Sequence, residues 1–520
     1  MRQIVSPLSG IRSPFGLRDS VAVIDAYAVG GFSPSLVFDF SEEFYRTNST
    51  TTTFDDAMTF SRSGNATMVD SDGLLKWAPH NLLTYSEDFS NVAWAKQVSA
   101  TVSSNAGAAP DGTITADRVT FGGAFSNVRQ FLAFPAGQQI TGRVWLKLES
   151  GNPNLTIGLS GSIETQSITV TSEWALYSVT ATTDGTNVYG VMVQDRNSSG
   201  FGSVLVWGAH LYHSDLGGMA SVPEDARATP SASTYVPTTS AARYLPRRGH
   251  HIYNGAEWVN EGVLVESEAR TNLLLNSGTL ATQNVTVTAV PHTLHFTGTG
   301  TVTLSGASTA GPLVGTGAGE NNRVSLTFTP TAGTLTLTVT GTVTNADLEV
   351  GSTLSSHKPT SGSTVTRAAD SNTSGELTYD STAMWFTLLG AETYADLGAA
   401  GQVELFDWRA DANNRITVTL DTDGAEVGEI TLTVVSGGAL WAVAADYLTP
   451  GINKPFSIAW RVTSSAINIA VGGSAATEVS TTSIPDLSSA STTLKGMGTR
   501  KLFRQGAGDV GDAGIEEASA

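Results

Sequence analysis

Carboxylates, a histidine pair and scattered indoles are the side chains here that could do chemistry, and each points to a different kind. Glycoside hydrolysis needs two carboxyl groups facing one another across a cleft at roughly 5–10 Å. Glu404 with Asp407, and Asp421 with Asp423, are the pairs closest in sequence. The first pair is an odd number of positions apart, which puts its side chains on opposite faces of a regular strand. The second lies in Asp421-Thr422-Asp423-Gly424, which reads as a hairpin turn. The eight histidines are scattered, and no G-x-S-x-G elbow with an ordered triad accompanies them. His250-His251 lacks a third ligand at a usable spacing. Asp70-Ser71-Asp72-Gly73 lacks the downstream acids of a calcium loop and reads as a turn between two strands. No catalytic residue, metal or cofactor is expected.

Sugar binding asks for less: an exposed ring to lie against a pyranose face, with a few polar neighbours. The candidates are Trp94, Trp174 and Tyr189 in the first half of the chain, and Trp408 with Arg409 and Asp411 near a strand end in the second. Trp207, flanked by Val204 and Val206, reads as core.

The elements that must carry these residues are short strands. Period-two alternation runs through Gly142–Leu148, Leu155–Leu159, Trp174–Val179 and Val204–Trp207, with Gly/Asn/Asp turns between, and no long helical period appears. The stretch Asn81-Leu82-Leu83 with Ser86 recurs as Asn272-Leu273-Leu274 with Ser277. The closings recur too: Trp207-Gly208-Ala209-His210-Leu211 and Ser233-Thr234-Tyr235-Val236-Pro237-Thr238 against Ala346-Asp347-Leu348-Glu349-Val350-Gly351-Ser352 and His357-Lys358-Pro359-Thr360. Shared starts and ends in one order indicate a duplicated module whose second copy has lost material. The expected organisation is an N-terminal arm (1–30), a small β-hairpin region (31–80), a first jelly roll (81–237), a basic connector with a hairpin (238–270), a shortened second jelly roll (271–370), a C-terminal sandwich (371–506) and a flexible or assembly-contact tail (507–520). The fold class is all-β, in multi-domain antiparallel β-sandwiches.

Composition narrows the partners. With 28 Lys and Arg against 47 Asp and Glu, a net charge of -19 opposes any general attraction to nucleic acid. Cysteine is absent, so stability comes from packing without disulfides. No apolar run is long enough for a membrane helix, and the N-terminus lacks the pattern of a secretory signal. The arm alternates apolar and basic residues with helix breakers, through Arg2, Ile4, Pro7, Leu8, Ile11, Arg12, Pro14 and Phe15. Such a segment is built to dock on another protein.

Phe60–Leu74 (FSRSGNATMVDSDGL) and Gly262–Leu274 (GVLVESEARTNLL) resemble elements of tailed-phage virion proteins, chiefly tail-fibre and tail-associated proteins. Asn81-Leu82-Leu83 with Phe89 and Trp94 resembles the opening of their carbohydrate-binding-like jelly rolls. Phe456–Val462 with Val471-Gly472-Gly473 is similar to concanavalin/laminin-G-like sandwiches. The resemblance implies a virion protein made in the host cytoplasm, anchored to other virion proteins by its arm. It implies a tail fibre that adheres to host surface polysaccharide as a homotrimer or other symmetric oligomer. A non-enzymatic head or tail decoration protein is the alternative, and a glycan depolymerase a third reading.

Overall fold

The computed structural model describes residues 25–48, 50–151, 153–159, 165–197, 201–223, 234–396, 401–422 and 426–520. The arm residues Arg2, Ile4, Pro7, Leu8, Ile11, Arg12, Pro14 and Phe15 lie outside these, as does the Asp423-Gly424 turn.

The C-terminal sandwich is built from both ends of the chain. In its larger sheet, Leu36–Asp39 pairs antiparallel with Met497–Ala507, which pairs in turn with Ala383–Tyr394, Gly451–Thr463 and Ala466–Val471 following. Val263–Glu266 is hydrogen-bonded to the same Met497–Ala507 strand. In the facing seven-stranded sheet, Thr59–Ser61 pairs with Ser371–Ser374 at one edge. Residues 31–61 are therefore strands of the sandwich and not the separate hairpin region expected from sequence. The connector is woven in as well. Local pattern could not show this, because each of these short strands is completed by a partner hundreds of residues away.

Ala383–Tyr394 is buried along its whole length, the signature of a strand covered on both faces. Met384, Phe386 and Leu388 enter the inter-sheet core with Trp408, Trp460 and Phe503. On the other face, Leu389 packs with Tyr27 and Phe44, and Trp385 packs with Val510 and Ile515. Ile515 belongs to an α-helix, Gly511–Ser519, held by Arg461 Nη1 on Asp509 (2.9 Å) and Arg461 Nη2 on Asp512 (2.9 Å). The expected flexible tail is thus a docked helix. Its single buried Ile gave no helical period to read.

The two jelly rolls follow one plan. In the first, two five-stranded sheets face each other: Ala175–Thr182, Gln139–Ser150, Ser203–His213, Ala116–Thr120 and Thr101–Gly107 in one, and Thr165–Ile168, Leu155–Gly158, Val188–Asp195, Asn127–Ala133 and Ala95–Gln97 in the other. In the second, Val324–Phe328, His292–Gly298 and Val343–Val350 face Leu313–Val314, Thr301–Gly306, Gly333–Thr340 and Gln283–Val287. Sheet order and chain order both match once Ala95–Gln97, Thr101–Gly107 and Ala116–Thr120 are removed, so those three strands are the lost material. The closing clamp is also the same twice: Thr238 N donates to Ser86 Oγ (2.8 Å), and Thr360 N to Ser277 Oγ (2.8 Å). Asp70–Gly73 forms the expected turn, with Gly73 at φ +73. Asp70 Oδ1 accepts from Asp72 N and Leu74 N.

The basic connector is only partly a surface segment. Arg243 is partly exposed and pairs with Asp55, but Arg247 is fully buried between Glu266 and Asp370. Arg62 joins Asp370 at 2.9 Å, and Arg367 joins Glu266 at 3.0 Å. His250 Nδ1 accepts the Val69 N–H (3.1 Å), and the buried ring is kept neutral, its pKa pushed down to about 3 mainly by desolvation and then by Arg247.

Candidate functional site

Strand Gln139–Ser150 of the first jelly roll sends Ile140, Val144 and Leu146 into the inter-sheet core. Alternation then puts Arg143, Trp145 and Lys147 on the outer face. On the neighbouring strand Val204 and Val206 point inward and Trp207 outward, directly beside Trp145 in the register. Gly208 at φ +64 makes a bulge there; a Cβ on it would sit 3.3 Å from Trp145 and 3.4 Å from Tyr235. After the bulge His210 and Tyr212 share the outer face, His210 opposite Arg143. Trp174 and Tyr235 close one end, and Leu176, 40% exposed, stands next to Trp145 in register.

The result is an aromatic field on the outer sheet face, with Arg143 and Lys147 beside it on the same strand. Trp145 and Trp174 are half-buried, and Trp174 Nε1 donates to Ala108 O (3.1 Å), which fixes its ring. Trp207 is buried beneath Tyr235, ring centroids 5.0 Å apart. Tyr235 OH donates to Glu87 Oε1 (2.9 Å), and burial raises the Glu87 carboxyl pKa. The Arg143 guanidinium lies 4.3 Å from the Tyr212 ring centroid and donates from Nη1 to Thr234 Oγ1 (2.8 Å). Arg143 Nε, Trp207 Nε1 and His210 Nδ1 are buried on this face without a hydrogen-bond partner among the described residues, as are the indole nitrogens of Trp385 and Trp460 in the C-terminal sandwich.

The residues expected from sequence to bind sugar are distributed differently. Trp94 is core, 4.5 Å from Phe89 with its Nε1 given to Tyr85 O. Tyr189 is core, and its OH accepts from Asp184 N. Trp408 is fully buried against Phe386, with Nε1 on Ala490 O. Rings in these positions present no face to a ligand, so these three expectations are corrected. Asp411 is exposed but caps its own hairpin through Asn413 N (2.7 Å). Trp174 alone of the expected rings reaches the aromatic face.

Arg409 reveals a second correction. It contacts both Asp407 (2.7 Å) and Glu404 (3.0 Å), and Lys495 also reaches both. The two carboxylates share a face because a bulge between Glu404 and Phe406 inserts one residue and reverses the parity.

Sequence reasoning missed Arg143, Trp145, His210, Tyr212 and Tyr235. The signal for the first two was present in the alternation of Gly142–Leu148, where Trp145 has the parity of two cations and the opposite parity to Val144 and Leu146. Trp207 is buried as expected, but on the outer face under Tyr235.

The class defined by this architecture is a multi-domain antiparallel β-sandwich protein. No protein-family model matches the chain, and no curated protein does. Among solved structures, the chain is similar to the binding domain of botulinum neurotoxin serotype D, at 8% identity over 29% of this chain and 40% of that one, TM-score 0.24. It is similar to the CBM40 domain of the Ruminococcus gnavus IT-sialidase, bound there to sialyllactose, at 6% identity over 27% of this chain and 84% of that one, TM-score 0.22. The tandem CBM22 domains of Paenibacillus barcinonensis Xyn10C align at 10% identity over 82% of this chain and 98% of theirs, TM-score 0.21.

Proposed function

We propose that the protein is a glycan-binding virion attachment protein of a tailed phage, which holds host surface polysaccharide on the outer face of its first jelly roll. The observation that carries this reading is that Trp145 and Trp174, both half-exposed, pack against one buried aromatic layer of Trp207 and Tyr235. Half-exposed rings held rigid from beneath are what stacking a sugar requires. The phage phrases in 60–74 and 262–274 support the virion setting, with the arm as its anchor and a symmetric oligomer multiplying weak single sites.

The test is binding of the full chain to an array of bacterial surface polysaccharides, with Trp145→Ala and Trp174→Ala measured alongside. Saturable binding that drops about tenfold or more in each variant is expected, since base-free stacking and burial of an indole are worth about 1–3 kcal/mol. Binding unaffected by either substitution would move the site elsewhere. No binding to any glycan would favour a decoration protein.

A further inference from the structure

The duplication allows the outer faces of the two jelly rolls to be compared position by position. Leu211 N donates to Asn81 Oδ1 and Leu348 N to Asn272 Oδ1, which aligns His210 with Asp347 and Tyr212 with Glu349. Arg143 pairs opposite His210, and His295 opposite Asp347, so Arg143 and His295 occupy the same place. In the second jelly roll that place is neutralised from within: His295 Nε2 meets Glu349 Oε1 at 3.2 Å, and Lys358 Nζ meets Glu349 Oε2 at 3.0 Å. In the first, both acids are replaced, by His210 and Tyr212, and the imidazole, whose Nδ1 accepts from Arg323 Nη1 (2.9 Å) in the second, is replaced by a guanidinium.

Arg143 is thereby left without an acid among the described residues. Arg247 has two, Glu266 and Asp370, and Arg500 has Glu392, whereas the buried Arg504 is held by the Thr387 hydroxyl and the Tyr27 carbonyl. Around Arg143 the contacts are the Tyr212 ring and the Thr234 hydroxyl, and no carboxylate of a described residue lies within ion-pair distance. A mostly buried cation with no counter-charge is costly, and it persists in a chain of net charge -19 that has acids to spare. His210 Nε2 faces the His80 carbonyl oxygen at 2.7 Å and must carry the proton there, so its unpartnered Nδ1 is a bare acceptor. Trp207 Nε1 adds an unpartnered donor.

We infer that the first jelly roll selects carboxylated saccharides, the ligand's carboxylate supplying to Arg143 the counter-charge that no described residue provides. The pyranose would lie against Trp145, which is half-exposed on the same strand. This inference rests on the glycan-binding reading above and adds the ligand's charge to it.

The experiment uses the full chain on an array carrying carboxylated glycans, polygalacturonate and polysialic acid among them, each beside its carboxyl-reduced neutral counterpart. Wild type should bind the carboxylated member about tenfold or more tightly, the range of a charge-assisted contact. Arg143→Gln should abolish that preference, so that the charged and neutral members are bound alike. Tyr212→Glu, which installs the second jelly roll's internal acid, should also abolish it, in a protein whose melting temperature is at least that of wild type. Equal binding of the charged and neutral members, or a preference that survives Arg143→Gln in folded protein, would overturn the inference and leave glycan binding standing. Failure to bind either member of any pair would overturn both.

Discussion

Asn81 and Asn272 perform one task twice. Each side-chain amide donates to two carbonyls, Ala209 and Val236 for Asn81 (3.0 and 2.8 Å), Ala346 and Lys358 for Asn272 (2.9 and 2.9 Å). Each Oδ1 accepts two backbone N–H groups, from Leu83 and Leu211 or from Leu274 and Leu348. The opening of each jelly roll is thus stitched to its last strand and its closing segment through one buried side chain.

Substituting either asparagine by alanine strands four backbone groups in a dry interior. A loss of about 2–4 kcal/mol is expected for each, read by hydrogen exchange as faster opening confined to the jelly roll that carries the change. Equal loosening of both jelly rolls would show that they unfold as one unit.

The junction of Arg62, Arg247 and Arg367 with Glu266 and Asp370 sets an acid limit on stability. Burial alone would raise the Glu266 pKa, but Arg247 and Arg367 outweigh it and hold the carboxylate well below its usual range; Asp370 is lowered likewise by Arg247 and Arg62. For carboxylates whose folded pKa is depressed, the stabilisation is complete above the unfolded value of about 4 and is lost as pH falls below it. Unfolding of the junction should therefore set in below about pH 4. Glu266→Gln should cost about 3–5 kcal/mol already at pH 7, because it leaves two buried guanidinia short of a charge; denaturant melts at both pH values check this.

Buried imidazoles act in a higher window. Desolvation pushes His80 and His250 down to about 3 and His213 to about 4, while in the unfolded chain they titrate near 6.5. The unfolded state therefore binds more protons below about pH 6.5, and stability falls from there by up to about 1.4 kcal/mol per pH unit for each such ring. Nitrogen chemical shifts at pH 5 should show all three rings neutral in the folded protein; a protonated ring would contradict the burial argument.

The terminal helix is expected to protect the sheet it covers. Ile515→Ala should cost about 2–4 kcal/mol, and ending the chain at Gly508 should bare Trp385 and red-shift tryptophan emission. An unchanged spectrum in the shortened chain would mean that Trp385 stays covered without the helix.

Much of this was local and hence readable from sequence. Alternation over Gly142–Leu148 and Val204–Trp207 specifies strands, Asp70–Gly73 specifies its turn through one carboxylate and one positive φ, and the repeated Asn-Leu-Leu and Pro-Thr phrases fix the duplication because the buried clamps they make tolerate few other side chains. What depended on distant partners could not be read. Leu36–Asp39 finds its place only beside Met497–Ala507, and one inserted residue after Glu404 brings it to the face of Asp407. Whether a tryptophan is core or surface was undecidable from its own strand. Alternation names two faces, but only the packing of Trp174, Tyr235 and the neighbouring sheet decides which face is covered, and only the tertiary structure shows that Arg143 has no acid beside it among the described residues.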